Sequence, residues 1–318
     1  MKKKFLAHLA FIATALVATS CGGGAGEPPP PAAMAITTVT NGAGMAMLYI
    51  PAGSFTMGSP EGEEGRWPHE GPQRLVVLSF GFYMAVHPVT QDQWVAVMGE
   101  GSNPSFFDGS PEREAALGEM QGRRPVDSIS WYDALVFANR LSIMEGLSPA
   151  YLIAGSTNPD DWGVVPSSAD ALWNAVEVIE GSTGYRLPTE AQWEFAARAG
   201  TTTAFSNGAN DWRDLPATDA IGWFLHNSGF RTREVGLRQS NPWGLHDMHG
   251  NVWEWVWDWL GAYPADSQSD PQGASDGSVR VLRGGDAHNT PLYARSAFRD
   301  FANPAFRGYF SGLRLVRP

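Results

Sequence analysis

Three sets of side chains in this sequence are of types that do chemistry: a single cysteine, a pair of carboxylates and a pair of histidines. Cys21 could act as a nucleophile, as a metal ligand or as a site of covalent modification. Glu254 and Asp258 are four residues apart and could share general acid and base work. His246 and His249 could bind a metal, but such a pair in a turn before a strand is more often structural, and we favour that role.

The two carboxylates lie in a run whose periodicity predicts a β-strand. Tryptophan occupies every second position from 253 to 259, which puts all four indoles on one face of a strand, as no helix would do. Glu254 and Asp258 then share the opposite face with two valines. Acid and base work by this pair is one hypothesis, and a ligated or solvated face is the interpretation we favour.

Local signals elsewhere predict the elements that must position these residues. Residues 47–57 and 73–84 are rich in β-formers and are predicted to be strands. The spans 101–122 and 147–183 lack periodicity and are predicted to be long loops. Three helices are predicted between a capping residue and a glycine, namely Thr90 to Gly99, Ser130 to Gly146 and Thr189 to Gly200.

The first residues are typical of a secretory signal. Lys2–Lys4 precede an apolar run from Phe5 to Ala18, which is too short for a permanent membrane span. Small residues then lead directly to Cys21, and this resembles the site at which bacterial lipoproteins are cleaved and lipidated. An ordinary signal peptide followed by an incidental thiol is the alternative. We expect a lipid on Cys21 and a membrane-anchored lipoprotein, at the outer membrane or cell surface.

The chain is therefore predicted to consist of a signal peptide (1–20), a lipidated Gly/Pro-rich tether (21–40) and one globular domain (41–318). Its 36 Gly and 23 Pro, with 13 Trp and 16 Phe, favour a loop-rich fold of short elements with an aromatic core. The formal net charge is −11, and such a body repels phosphate backbones. Nucleic acid is therefore not an expected partner.

Several segments in order resemble the formylglycine-generating, or sulfatase-modifying-factor, family. The resemblance implies an α+β fold, an elaborated C-type lectin with small twisted antiparallel sheets and a few helices. The matching segments are IPAGSFTMGS (50–59), HPVTQDQW (87–94), PVDSISWYDALVFANRLS (125–142), GYRLPTEAQWEFAARAG (184–200), NPWGLHDMHGNVWEWVWDW (241–259), RVLRGG (280–285) and GLRLV (312–316).

The resemblance also implies what this chain lacks. In active aerobic members of the family, two cysteines after the RGG motif bind copper, because thiolates hold Cu(I) well. Aligned on Arg283-Gly284-Gly285, those cysteines fall at about Asn289 and Ala294, neither of which can bind copper. We therefore expect no copper, no catalytic residue and no formylglycine activity.

A calcium site of the family does carry over, as a structural cofactor site. Its ligands would be the side chains of Asp247 and Glu254 and the backbone carbonyls of Gly250 and Val252, which are the oxygen ligands a hard cation requires.

The segment 286–311 departs from the rest of the chain in composition. Lys, Glu, Gln, Met and Trp number 50 in 318 residues, so about four are expected in these 26 residues, and none occurs. No codon of the form NNC encodes those five residues. The segment thus resembles the variable proteins of diversity-generating retroelements, in which template adenines are randomised. The expected ligand-binding residues are Ala287, His288, Asn289, Thr290, Leu292, Tyr293, Phe298, Asp300, Phe301, Phe306, Tyr309 and Phe310.

The function expected from these observations is non-catalytic binding of a protein or glycan at the cell surface. Aromatic side chains in the segment would supply contact area at low entropic cost, as in antibody paratopes. Two alternatives stay open: an enzyme or maturation factor of the formylglycine-generating type with altered chemistry, and a structural envelope lipoprotein.

Overall fold

A computed structural model describes residues 37–318, so the predictions for the signal peptide, for Cys21 and for most of the tether lie outside the described residues. Between these limits no helix is long and apolar enough to cross a membrane. The strands in chain order are β1 Thr38–Thr40, β2 Ala46–Ile50, β3 Gly53–Met57, β4 Arg74–Leu78, β5 Phe82–Ala85, β6 Tyr151–Leu152, β7 Glu177–Val178, β8 Gly222–Trp223, β9 His249–Gly250, β10 Trp253–Trp259, β11 Gln268–Ser269, β12 Arg280–Arg283, β13 Asp300–Ala302, β14 Ser311–Leu313 and β15 Val316–Arg317.

The helices are short, and the three with predicted caps form as expected. They are α1 Gln91–Met98, α2 Trp131–Met144, α3 Ala171–Asn174, α4 Glu190–Arg198, α5 Leu215–Ile221 and α6 Leu225–Ser228, with 3-10 turns at Pro68–Glu70, Gln121–Arg123, Pro159–Asp161 and Pro291–Ala294. Thr90, Ser130 and Thr189 each accept a hydrogen bond from the backbone N–H three residues on, and the side chain at that position bonds back to the cap.

These elements form the predicted α+β fold with small sheets. One sheet has the order β1-β2-β5-β15, a second β13-β12-β10-β14 and a third β11-β4-β3, with two further strand pairs. In the second sheet β10 pairs antiparallel with β12 and parallel with β14. Strand β1 pairs with β2, so the folded domain includes Thr38–Thr40 and the predicted boundary at residue 41 is too late by at least three residues.

Strand β10 is buried on both faces, which corrects the expectation of a solvated carboxylate face. Trp255 is fully buried in the larger hydrophobic core beside α2, and Val256 is fully buried in the second core beside α4. Both carboxylates are enclosed as well: Glu254 is 0% and Asp258 3% exposed. Asp258 accepts the backbone N–H of Glu190 at 2.7 Å, so its role is structural.

Buried arginines connect the C-terminal strands to distant parts of the chain. Arg295 makes a two-pronged contact with Glu70 (2.7 and 2.8 Å) and a further ion pair with Glu63. Arg299 holds Glu190 in the same way at 2.6 and 2.8 Å. The pairs bring together residues over one hundred positions apart, and a charge without its partner is costly in such a dry interior.

Arg295→Met tests this ion-pair network. Removal of the guanidinium leaves Glu70 and Glu63 buried without a counter-charge, so we expect the free energy of unfolding to fall by about 3–5 kcal/mol in urea titrations. Arg140→Met is the matched control, because Arg140 pairs with Asp160 at the surface, and it should cost less than about 1 kcal/mol. Equal losses in both variants would contradict the assignment.

Candidate functional site

The segment 286–311 leaves the sheet after β12 and returns to it at β14. Between these strands it forms the 3-10 turn Pro291–Ala294 and the edge strand β13, which pairs with β12. Three fully buried arginines, here called the frame arginines (Arg283, Arg295 and Arg299), hold its backbone. Arg283 donates to the carbonyls of Ser296 at 2.8 Å and Ala297 at 2.9 Å and pairs with Glu194 of α4 at 2.6 Å.

The segment forms most of the wall of an open cavity of about 440 Å³. Such a volume suits one side chain or one small ligand. Six of the twelve predicted ligand-binding residues line it: His288, Asp300, Phe301, Phe306, Tyr309 and Phe310. The prediction missed six other residues of the lining. They are Trp253 and Leu282 on the neighbouring strands and Asp286, Ala302, Gly308 and Ser311 within the segment.

Exposed aromatic side chains gather around this cavity. Phe301, Phe306 and Tyr309 line it and are 43%, 51% and 49% exposed. Two exposed rings from other loops join them: Phe106 lies 5.2 Å from Tyr309 and Phe230 lies 5.5 Å from His288, measured between ring centroids. Clustered apolar rings at a surface are typical of an interaction site. The cavity and these rings together are called the aromatic face below.

A buried carboxylate positions Phe106. Asp127 accepts the backbone N–H of Phe106 at 2.6 Å and the hydroxyl of Ser128 at 2.8 Å, and burial raises the pKa of Asp127 to about 7. The loop that carries Phe106 was predicted only as a long irregular span. The adjacent phenylalanines at 106 and 107 in that polar span were the signal that could have identified it.

Two carboxyl groups also line the cavity. Burial raises the pKa of Asp286 to about 7, although its carboxylate accepts hydrogen bonds from the backbone N–H of His288 and from the Asn289 amide. Burial likewise raises the pKa of Asp300. The negative charge of Asp300 also raises the pKa of Asp286, because two like charges disfavour ionisation of each other.

The remaining predicted ligand-binding residues do not face this cavity. Ala287 is fully buried, in a small cluster with Phe107 and Phe310, and Phe298 belongs to the larger core. These two positions are corrected from ligand contacts to packing residues, because solvent does not reach them. Phe310 packs in that cluster and also lines the cavity. The four residues Asn289, Thr290, Leu292 and Tyr293 are partly exposed outside the cavity lining.

The two positions that the resemblance aligns with copper-binding cysteines, Asn289 and Ala294, hold an amide and a buried methyl group here. Asn289 donates its side-chain amide to Asp286 at 2.8 Å, and Ala294 is fully buried. The carbonyl of Ala294 accepts from His249 at 2.7 Å. Burial lowers the pKa of His249 to about 4, and His246 bonds the carbonyl of Arg238. Both histidines therefore make hydrogen bonds within the fold, and the structural role that the sequence favours for them stays a prediction.

The predicted calcium ligands have protein partners. Both oxygens of Glu254 bond Arg314, at 2.8 and 2.9 Å, and one also accepts from the indole of Trp193 at 2.7 Å. Asp247 accepts the backbone N–H of Gly236 at 2.7 Å. The carbonyl of Gly250 accepts the N–H of Val252.

Glu254 does not fit a calcium ligand in this arrangement, because the guanidinium of Arg314 already supplies its positive charge. This corrects the role assigned to Glu254. Calcium binding through Asp247 and the two carbonyls stays a prediction.

Comparison with known proteins agrees with this geometry. Treponema denticola variable protein 1 superposes with a TM-score of 0.78 at 36% identity, over 90% of this chain and 100% of that one. A chaperone protein LppX from Paenibacillus barcinonensis is 33% identical over 250 residues, 74% of this chain and 80% of the relative. A formylglycine-generating enzyme from Mycobacterium tuberculosis is 30% identical over 232 residues, 65% of this chain and 72% of the enzyme.

These similarities confirm both resemblances found in the sequence, to formylglycine-generating enzymes and to a variable protein, and with them the lectin-like fold class. The model of the sulfatase-modifying factor enzyme 1-like domain matches residues 33–318, which include all the residues that the structure describes. This chain belongs to the sulfatase-modifying factor enzyme 1-like family.

Proposed function

We propose that this chain is a non-catalytic, surface-displayed lipoprotein that binds a protein or glycan ligand through the aromatic face. The observation that carries the proposal is the concentration of exposed rings around one cavity that the segment 286–311 lines. Rings held on a rigid scaffold lose little entropy on binding and bury a large area, which favours recognition.

The likeness to a variable protein supports binding, and the likeness to formylglycine-generating enzymes supports the alternative of an enzyme. The residues favour binding. Copper chemistry of the family kind needs thiolates, and the sole cysteine of the sequence, Cys21, precedes the matched domain. The buried carboxylates Glu254 and Asp258 have hydrogen-bond partners within the core, so they do not form an acid–base pair at a surface.

The aromatic face is tested by Phe306→Ala and Tyr309→Ala, with binding measured on printed glycan and peptide arrays. We expect each substitution to abolish binding or to change which glycans and peptides are bound, because each removes a ring that lines the cavity and is about half exposed. The free energy of unfolding should change by only about 0.5 kcal/mol, as for other surface substitutions.

Phe80→Ala is the matched control for these variants, because Phe80 is 78% exposed and does not line this cavity. It should leave the array pattern as it is. An unchanged pattern in Phe306→Ala and Tyr309→Ala, or the same change in Phe80→Ala, would argue against the aromatic face as the binding site.

The lipid anchor has a separate test. Cys21→Ser should abolish labelling with radioactive palmitate and move the protein from the membrane fraction to the soluble fraction, because the serine hydroxyl does not take the thioether-linked lipid and one signal for membrane attachment is lost. Equal labelling of the variant and the natural chain would refute the lipoprotein assignment.

Diversification by a retroelement predicts a particular codon usage in the DNA that encodes the segment. If only template adenines change, the third base of each randomised AAC codon survives as C. The twelve predicted positions, from Ala287 to Phe310, should therefore use codons that end in C, and a near-copy with AAC at these sites should lie beside a reverse-transcriptase gene. Sequencing of the locus checks this, and scattered third bases without a nearby repeat would leave a binding protein with an undiversified segment.

A further inference from the structure

Among the described residues, the lining of the cavity of the aromatic face combines aromatic rings, two acids and the imidazole of His288. Asp286 and Asp300 contribute carboxyl groups, and Phe301, Phe306 and Tyr309 contribute exposed rings. Neither arginine nor lysine is among the residues that line it. The frame arginines behind the segment are committed to Glu194, Glu70 and Glu190. Where the two carboxyl groups are ionised, they and the faces of the rings make the open cavity electronegative.

One carboxylate oxygen of Asp286 has no hydrogen-bond donor among the described residues. The residue is only 5% exposed. Its Oδ1 accepts from the backbone N–H of His288 at 2.9 Å and from the Asn289 amide at 2.8 Å. Among residues 37–318, Oδ2 accepts no hydrogen bond, and the residue lines the cavity. A carboxylate in such a place is stabilised by a charged donor that enters from the cavity.

The same chain shows how it holds a cation in its core. The guanidinium carbon of Arg280 lies 3.8 Å from the ring centroid of Trp131 and 3.4 Å from that of Trp259. The carboxylate of Asp258 attracts that cation, although burial outweighs the attraction and raises the pKa of Asp258 to about 7 while it lowers the pKa of Arg280 to about 9. Rings beside a carboxylate are therefore a cation-binding arrangement that this fold already uses. The cavity of the aromatic face presents the same two components without the cation.

We propose that the cavity of the aromatic face binds an organic cation, the ammonium or guanidinium group of a lysine-type or arginine-type ligand. The cation sits against the rings of Tyr309 and Phe306 and donates to Oδ2 of Asp286. Asp300 adds a second negative charge at the rim. This inference rests on the proposed binding function and specifies the chemistry of its ligand. An anionic ligand would be repelled from the same place.

The experiment is calorimetric titration of the full-length protein in detergent with a charge series. The probes are the amides of Nα-acetyl-lysine, Nα-acetyl-arginine and Nα-acetyl-norleucine, the last of which keeps most of the lysine chain but has no charge. We expect the lysine or arginine compound to bind at least tenfold more tightly than the norleucine compound. We also expect the difference to shrink in high salt, since screening weakens attraction between charges.

Asp286→Asn should lower the affinity for the charged probes at least tenfold. The asparagine carbonyl can still accept from the backbone N–H of His288, so we expect the variant to fold, which its melting temperature checks. Asp300→Asn serves as a second variant, since Asp300 is only partly buried. Asp266→Asn is the matched control, because Asp266 is exposed and does not line the cavity.

The outcomes separate this inference from the proposed function. Equal affinity for norleucine and lysine probes, or unchanged affinity in both Asp286→Asn and Asp300→Asn, overturns the cation inference alone if array binding still depends on Phe306. If array binding is also independent of Phe306 and Tyr309, the proposed function fails as well. Titration with cadaverine and with a decapeptide that has one central lysine then shows whether a small amine or a polypeptide is the better ligand. Tight binding of either probe supports the inference.

Discussion

The structure depends on buried arginine–glutamate pairs. Sheets of two to four short strands bury little surface by themselves, and much of the chain is irregular. Arg283, Arg295, Arg299 and Arg314 are each fully or nearly fully buried and each pairs with a glutamate at least sixty residues away. In the dry interior these pairs are strongly directional, because an arginine that misses its partner leaves two charges without compensation. They therefore fix the course of a backbone that regular secondary structure does not fix.

This constraint explains how the proposed variation of side chains in one segment would leave its backbone in place. The frame arginines hold backbone carbonyls, such as those of Ser296 and Leu292, and so do not depend on the side chains between them. Phe301, Phe306 and Tyr309 point to solvent from that fixed backbone. Phe298 lies in the core instead, where a change of volume is felt by its neighbours. Packing would therefore confine the proposed diversity of the segment to fewer positions than its composition suggests.

Local features of the fold could be predicted from the sequence, and contacts between distant residues could not. The caps at Thr90 and Thr189 depend on residues three positions apart, and the alternating tryptophans fix the strand after Val252. The partner of Glu254 could not be predicted in this way. A carboxylate suits a calcium ion or an arginine equally well, and Arg314 lies sixty residues further on, so the type of Glu254 alone did not decide between them. Phe106 was missed for the same reason, because its place beside Tyr309 depends on Asp127.

The turn after β12 encloses Ala294, one of the two positions that the resemblance aligns with copper-binding cysteines. A Cβ on Gly285 would come within 2.8 Å of the Cβ of Ala294, so the turn after β12 packs directly on the 3-10 turn. His249 bonds the carbonyl of Ala294 from the other side and is itself held by Ser206. A position enclosed in this way is a packing site, with room for a methyl group. Ala294 therefore packs the turn in place, while its neighbour Tyr293 stays partly exposed, so the side chains that the turn displays lie outside the enclosed position.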